Sequence, residues 1–227
     1  MVIRAKRKDR GEGQTDFFYL LGALLFLLLA VPLAQDFSSL DPAIVRGFFF
    51  SVLMIVGARS LKGGGRYFRV GMVLAVAGDA LNVVAVGQTS NLFQGASILS
   101  MFVILLVSIS YTMKQVIFGT EINANRLVGA ICVYLLLGVI WALAYAFIDL
   151  VAPSSFAGID RDAETGWGAG WIYYSFVTLT TLGYGDILPL SGTARGLAYL
   201  QAIVGQFYIA VLVAGLVSAY ISDKQGS

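Results

Sequence analysis

Charged residues are scarce in this sequence. Only 12% of its 227 residues are Asp, Glu, Lys or Arg, whereas a soluble domain carries roughly 25%. Histidine is absent, which removes the commonest general base and transition-metal ligand. The single cysteine, Cys132, lies in an apolar run, so it has no intrachain disulfide partner and is expected to be a packed core residue. Because histidine, cysteine pairs and paired acids are all missing, the chain is not expected to be an enzyme, and no cofactor is expected.

Hydrophobic residues dominate instead. They make up 58% of the chain, and the mean hydropathy is +0.82. A membrane-spanning helix needs about 20 residues, so the chain has room for six spans and little else. The 15 Lys and Arg residues are spread over short loops and form no nucleic-acid surface. The composition therefore predicts an integral membrane protein in contact with lipid, with no nucleic acid partner.

Six apolar segments have the length of membrane spans. A shorter apolar and aromatic piece, residues 168–181, separates the last two. The six segments are residues 17–34, 43–61, 70–86, 95–118, 127–151 and 195–220.

The positive charges give the orientation of these spans. Six spans place 12 of the 15 Lys and Arg residues on one side, while Asp and Glu collect in the loops of the other. Because cytoplasmic loops carry an excess of Lys and Arg, both termini are predicted to be cytoplasmic in a multi-pass protein of the plasma or inner membrane. The first apolar run is long for a signal peptide and lacks a clean cleavage site, so it is expected to remain as a span.

The segment between the fifth and sixth spans carries the clearest chemical signal. It contains Thr181-Leu182-Gly183-Tyr184-Gly185, and its two glycines permit backbone conformations that other residues avoid. A dehydrated K⁺ ion needs a cage of oxygens in place of its water shell. The carbonyls of residues 181–184 and the hydroxyl of Thr181 could supply those oxygens. One chain gives one oxygen per layer, so a cage requires several chains around an axis.

These residues resemble the selectivity filter of potassium channels, usually Thr-Val-Gly-Tyr-Gly, with Leu182 replacing Val. The match runs from Thr178 to Asp186, and the pore region as a whole looks closest to bacterial channels of the tetrameric cation-channel superfamily. The resemblance implies an all-α membrane protein with six transmembrane helices per chain. It also implies a re-entrant pore helix over residues 168–180, a filter between helices five and six, and a homotetramer with three further copies of the chain. K⁺ would be bound at Thr181, Leu182, Gly183 and Tyr184.

Other residues take supporting roles in this resemblance. Tyr173 and Tyr174 correspond to an aromatic cuff around the filter. In that arrangement Tyr174 would form a hydrogen bond with Tyr184 or pack against it, and Tyr173 would reach Asp186. The alternative is a generic belt of aromatic residues at the membrane interface.

Two positions close to the filter complete the predicted support. Val177 lies where some relatives carry a buried Glu behind the filter, so a carboxylate-pair mechanism of inactivation is in doubt, and Thr180 ends the pore helix. In the last span, Gly205 falls at the position of the inner-helix hinge of the family. It is either a hinge or a small residue for close helix packing.

The first four spans, residues 17–118, resemble a voltage-sensor domain in their layout. A working sensor would carry Arg or Lys at every third residue of the fourth span, but residues 95–118 contain only Lys114. The intramembrane polar residues are Asp79 and Asn82, with Arg46 near the outer end of the second span. An acid inside a membrane is a functional candidate, although a structural pairing of Asp79 with Arg46 or Asn82 is the favoured role.

The chain therefore divides into a basic N-terminus (1–16), a four-helix bundle without gating charges (17–118), a linker (119–126), a pore domain (127–220) and a short tail (221–227). The predicted function is a K⁺-selective channel with little voltage sensitivity. The alternatives are a weakly selective cation channel and, in a different class, a proton-coupled transporter that uses Asp79. A transporter usually shows broken helices in both halves of the chain, whereas here a break is predicted only at the filter.

Overall fold

The computed structural model describes residues 17–37, 51–52, 73, 76–77, 80, 91–118, 124–159, 168–215, 217–218 and 221. The principal elements in these ranges are helical, with one pair of very short strands. In chain order they are α1 (Phe17–Phe37), α2 (Asn91–Phe118), α3 (Ala124–Val151), β1 (Phe156–Ala157), α4 (Ala169–Leu179), β2 (Leu188–Pro189), α5 (Gly192–Phe207) and a π-helix (Tyr208–Val213).

Two of the helices are long and apolar enough to cross a membrane. They are Leu92–Phe118 within α2 and Ala124–Val151, which is α3, and a shorter apolar stretch covers Phe17–Ala30 of α1. Large apolar side chains also lie on their exposed faces, such as Phe26 and Phe118. Helices that are apolar on all sides fit a lipid environment. The predicted second and third spans lie almost wholly outside the described residues, as do Arg46, Asp79 and Asn82.

Helices α1, α2 and α3 meet at the predicted cytoplasmic end. The amide of Phe17 donates to Oδ1 of Asn125 at 2.9 Å, and the ring of Phe17 lies directly over Gly129, where an added Cβ would be 2.8 Å away. Cys132 is fully buried beside this contact, in line with a packed core residue. The absence of a side chain at Gly129 therefore allows α1 to approach α3 closely.

Arg126, near the start of α3, forms hydrogen bonds with the end of α2. Its Nε donates to the carbonyl of Val116, and its Nη2 donates to the carbonyl of Ile117 at 2.6 Å. The last carbonyls of a helix have no partner within the helix, and a positive charge there also offsets the helix dipole. Because α3 already begins at Ala124, residues 124–126 of the predicted linker are helical, which corrects the predicted start at residue 127.

The short helix α4 packs against α3 at a glycine. An added Cβ at Gly138 would lie 2.4 Å from the ring of Phe176, so only hydrogen fits at this crossing. The helix runs from Ala169 to Leu179, with Gly168 and Thr180 as its caps. These bounds match those predicted for the pore helix.

An aromatic cluster fills the space between the C-terminal end of α3, the strand β1 and α4. Tyr145 lies edge-on to Tyr174, with ring centroids 4.9 Å apart, and Phe156 lies edge-on to Trp171 at 5.0 Å. Edge-to-face pairs are favoured because the positive ring edge meets the negative ring face. The cluster holds α4 against the segment that follows α3.

The strands β1 and β2 form a small antiparallel pair. Phe156 pairs with Pro189, and Ala157 pairs with Leu188. The carbonyl of Ser155 also accepts hydrogen bonds from the amides of Leu190, at 2.8 Å, and Ser191, at 3.3 Å. The pair therefore joins the segment after α3 to the segment that leads into α5.

Helix α5 begins with a side-chain cap and continues into the π-helix. The side-chain oxygen of Ser191 accepts from the amide of Ala194 at 3.2 Å, a standard N-terminal cap, so the helix begins at Gly192, before the predicted residue 195. Further along, the hydroxyl of Tyr208 donates to the carbonyl of Ala130 at 2.6 Å. This bond ties the first residue of the π-helix to α3.

Candidate functional site

The segment that follows α4 has an alternating backbone. Thr181, Gly183 and Gly185 have φ angles of 59°, 57° and 82°, while the intervening Leu182 and Tyr184 have negative φ. In an ordinary strand successive residues face opposite sides. When every second residue adopts a left-handed conformation, successive carbonyls turn towards one side instead. This conformation suits the two glycines.

Thr181 is the exception, because a residue with a Cβ rarely adopts a positive φ, and such strain costs about 1–3 kcal/mol. Its amide donates to the carbonyl of Thr178 at 3.0 Å. Its hydroxyl accepts from Nε2 of Gln206 on α5 at 3.4 Å. These two contacts hold the strained residue at the point where α4 ends.

The next two amides point back to α4. Leu182 and Gly183 both donate to the carbonyl of Val177, at 2.9 and 3.3 Å. The carbonyls in the last turn of a helix have no partner within the helix. These two bonds give the carbonyl of Val177 its partners and hold the segment against the C-terminal end of α4. Val177 itself is buried, and Thr180 caps the helix through its hydroxyl, which donates to the carbonyl of Phe176 at 2.7 Å.

The opposite face of the segment is open. Residues 180–186 are all exposed in the single chain, and an added Cβ at Gly183 or Gly185 would meet nothing within 4 Å. A backbone with its amides turned to one helix and its other face uncovered can accept a ligand, or further copies of itself, on that face.

Tyr173 braces the C-terminal end of the segment. Its hydroxyl donates to Oδ2 of Asp186 at 2.5 Å, and its ring stacks on that of Tyr184, with centroids 6.5 Å apart and planes 7° from parallel. The bond from Tyr173 is the main reason that the pKa of Asp186 is lowered, because it favours the charged carboxylate. The predicted reach of Tyr173 to Asp186 is present.

The predicted contact of Tyr174 with Tyr184 is wrong within the chain. Tyr174 is buried and packs on Tyr145 and on Phe156, whose ring centroid is 5.5 Å away. Neighbouring residues of an α-helix point about 100° apart, so the helix that turns Tyr173 to the outside turns Tyr174 into the core. Tyr173 alone takes the role that the sequence divided between the two tyrosines.

Gly158 is a site residue that the sequence analysis missed. It has a φ of +84°, and an added Cβ would lie 2.0 Å from the carbonyl oxygen of Asp186. Any side chain would therefore displace the backbone of Asp186. Nothing in the sequence connects these residues, because the contact exists only through the pairing of β1 with β2.

Gly205 lies where α5 passes the end of α4. An added Cβ would be 2.5 Å from the carbonyl oxygen of Leu179, so of its two predicted roles the contacts favour close packing. The departure from α-helical geometry begins at Tyr208. Gln201 and Gln206 on the same helix also contact this region and were missed, although isolated amides in an apolar run are a recognisable signal.

Comparison with known proteins gives independent evidence on the kind of protein in which such a site occurs. An ion channel family model matches residues 130–222. That range contains the exposed segment, α4 and α5. Ion channels are not enzymes, and the expectation that this chain is not an enzyme is confirmed by the match.

The chain is also similar to plant potassium channels. It is 39% identical to two-pore potassium channel 3 of Arabidopsis thaliana over 56 residues, and this matched stretch is 25% of the present chain and 13% of the relative. It is 33% identical to two pore potassium channel a of Oryza sativa subsp. japonica over 101 residues, and this stretch is 44% of the present chain and 26% of the relative. The similarity thus spans about a quarter or less of these relatives. No solved structure matches.

The hydrogen bond between Tyr173 and Asp186 predicts a pH effect. A donor to the carboxylate lowers its pKa, so Tyr173→Phe should raise the pKa of Asp186. In the unaltered protein the ionised group contributes stability above its unfolded pKa, and this contribution is lost as pH falls from there through the lowered folded pKa. In the variant the two pKa values lie closer together, so the contribution is smaller and its loss is complete at a higher pH.

The measurement is a pH titration by NMR of protein with carboxyl-labelled aspartate, in which Asp186→Asn identifies the resonance. Tyr19→Phe is the matched control, because Tyr19 is an exposed tyrosine of α1 and should leave the midpoint unchanged. An unchanged midpoint in Tyr173→Phe would show that the bond does not set this pKa.

Proposed function

We propose that this protein is a potassium-selective channel of the bacterial type, which lets K⁺ cross the cell membrane passively. The observation that carries the proposal is the alternation of left-handed residues at Thr181, Gly183 and Gly185, next to an open face. The match to an ion channel family and the similarity to potassium channels support it. In this proposal the chain is a multi-pass protein with both termini in the cytoplasm.

The ion would pass along the segment from Tyr184 to Thr181. Carbonyls of residues 181–184, with the Thr181 hydroxyl, would replace the water shell of K⁺ layer by layer. The bonds from Leu182 and Gly183 to Val177 hold the backbone in advance, so the oxygens need not rearrange when the ion enters. The C-terminal end of α4 adds a partial negative charge that favours a cation at its end.

A complete cage requires other chains. The exposed side of α5 carries a stripe of large apolar residues one turn apart, Tyr199, Ile203 and Phe207, and this stripe lies on the helix that directly follows the open segment. We infer that it packs against neighbouring copies, which bring their own segments to the same axis. The family resemblance puts the number of copies at four.

The proposed channel also responds little to voltage. Lys114 is the only basic residue of α2, and α2 packs on α3 of its own chain through Arg126. Steep voltage gating uses roughly 3–4 charges in each of four subunits, each worth about 2.3 kcal/mol per 100 mV. A single lysine near a helix end supplies a small part of that work.

The selectivity prediction uses two glycines of the same chain. Purified protein in liposomes should pass K⁺ and Rb⁺ well and Na⁺ poorly, and external Ba²⁺ should block it. Gly183→Ala should abolish K⁺ flux or its preference over Na⁺, because a Cβ strains a residue with a φ of +57°.

Gly192→Ala is the matched control. This glycine is exposed in the first turn of α5 with open space around it, so flux should not change. Equal K⁺ and Na⁺ permeability in the unaltered protein would contradict the proposal and favour a weakly selective cation channel.

Assembly gives a second test. The mass of the protein in mild detergent should be about four times 24.3 kDa. Phe207→Glu should reduce the tetramer, because it places a charge in the proposed contact between chains. Phe118→Glu alters an equally exposed phenylalanine at the end of α2 and should leave assembly intact. A conducting dimer would refute the four-chain cage.

Voltage dependence gives a third test. The conductance–voltage curve in symmetric K⁺ should be shallow, and Lys114→Gln should leave its slope nearly unchanged. A steep curve that flattens in this variant would show that α2 acts as a voltage sensor after all.

A further inference from the structure

A buried polar side chain lies between three apolar helices behind the candidate filter. Gln201 of α5 is fully buried, and its amide meets groups from α3 and α4. Nε2 lies 3.0 Å from the carbonyl oxygen of Ser175 and 2.7 Å from its hydroxyl. Oε1 lies 2.6 Å from the hydroxyl of Tyr145. Ser175 and Tyr145 are also fully buried.

The chemistry of the partners determines the direction of each bond. A carbonyl oxygen can only accept, so the nitrogen of Gln201 must face the carbonyl of Ser175. Its oxygen then faces Tyr145, whose hydroxyl donates. The hydroxyl of Ser175 donates to the carbonyl of Gly138 at 2.6 Å, which leaves a lone pair for Gln201. The three side chains therefore form one continuous network from α5 through α4 to α3.

This network sets the register between α5 and α4. Gln201 contacts Ser175, and one turn later Gly205 contacts Leu179. Both intervals are four residues, so the two helices are matched turn for turn. An apolar contact tolerates sliding, whereas a buried polar network that is fully paired loses its bonds in any other register.

The register of α4 affects the position of the filter through the backbone. Ser175 and Val177 lie on the same helix, and the carbonyl of Val177 accepts the amides of Leu182 and Gly183. A shift or rotation of α4 would therefore move the backbone that offers oxygens to the ion. Because such a filter selects K⁺ through the carbonyl oxygens that replace its water shell, displaced carbonyls would weaken the preference for K⁺ over Na⁺.

We propose that Gln201 is a positioning residue for ion selectivity, which holds α4 in the register that aligns the filter carbonyls. The proposal rests on the proposed channel function. Gln201 is not expected to touch the ion, and it acts through Ser175.

The test compares the permeability to K⁺ and Na⁺ in channels assembled from full-length chains. Gln201→Leu keeps most of the volume but removes the amide. The K⁺/Na⁺ permeability ratio should fall about tenfold, which is a shift of about 59 mV in the bi-ionic reversal potential. Ser175→Ala should also lower the ratio, but by less, because Gln201 keeps its bond to the backbone carbonyl of residue 175. Tyr145→Phe should likewise have a smaller effect, because Gln201 keeps both of its contacts with Ser175.

Two further variants separate positioning from stability. Leu143→Ala opens a cavity in the same fully buried region of α3, so it should lower the unfolding temperature without changing the permeability ratio. The double variant Gln201→Leu/Ser175→Ala should lower the ratio by less than the two single effects combined, because the bond between the two side chains is lost in each single variant. A thermal-unfolding cycle on these variants measures the contact itself, whether or not the channel conducts.

The outcomes are distinct. If the unaltered protein conducts K⁺ and Na⁺ equally, the proposed function fails before any variant is recorded. If it selects K⁺ but Gln201→Leu and Ser175→Ala retain the full ratio, the positioning role is refuted while the channel function stands. A ratio that falls equally in Leu143→Ala would also refute it, because general destabilisation would then explain the effect.

Discussion

The carbonyl of Val177 accepts hydrogen bonds from the amides of Leu182 and Gly183, and the conformation of the open segment depends on this pair of bonds. They fix the chain where it leaves α4 and turn two successive amides towards the helix. The left-handed conformation suits the two glycines of this segment, whereas Thr181 is held in it by the fold. The other contacts around the site hold α4 in the position that these bonds require.

An 11-residue helix cannot hold such a position alone, because short helices are marginal without packing. Three sides of α4 are therefore constrained. Gly138 lets α3 approach closely, the aromatic cluster fills the outer end, and Gln201 with Gly205 fits α5 to it turn for turn. Small residues lie at the close crossings, while the buried polar groups specify which crossing forms.

The two ends of the helices are fastened by different means. Beyond the C-terminal end of α3, Gly158 lies against the backbone of Asp186, and Tyr173 donates to its carboxylate. At the other end, Arg126 joins α2 to α3 through the last carbonyls of α2. Among the described residues, α1 and α2 contact mainly α3.

Much of this could be read from the sequence, because it depends on local chemistry. Apolar length predicts α1, α2 and α3, and the glycines of the segment 181–185 predict a backbone in conformations that other residues avoid. Composition marked an apolar and aromatic piece over residues 168–181, and the family resemblance implied the pore helix within it. These features depend on residues that are neighbours in the chain.

Tertiary packing decided which partner each of these residues contacts, and no local sequence pattern contains that information. Tyr173 and Tyr174 are adjacent and chemically identical, and only the rotation of α4 against α3 decides which one meets Asp186 and which one is buried. Gly158 approaches Asp186, and Gln201 pairs with Ser175, across separations that the sequence does not connect. Composition and periodicity report the environment that a residue needs, whereas its partner is chosen when distant helices reach van der Waals contact and each buried donor must find an acceptor.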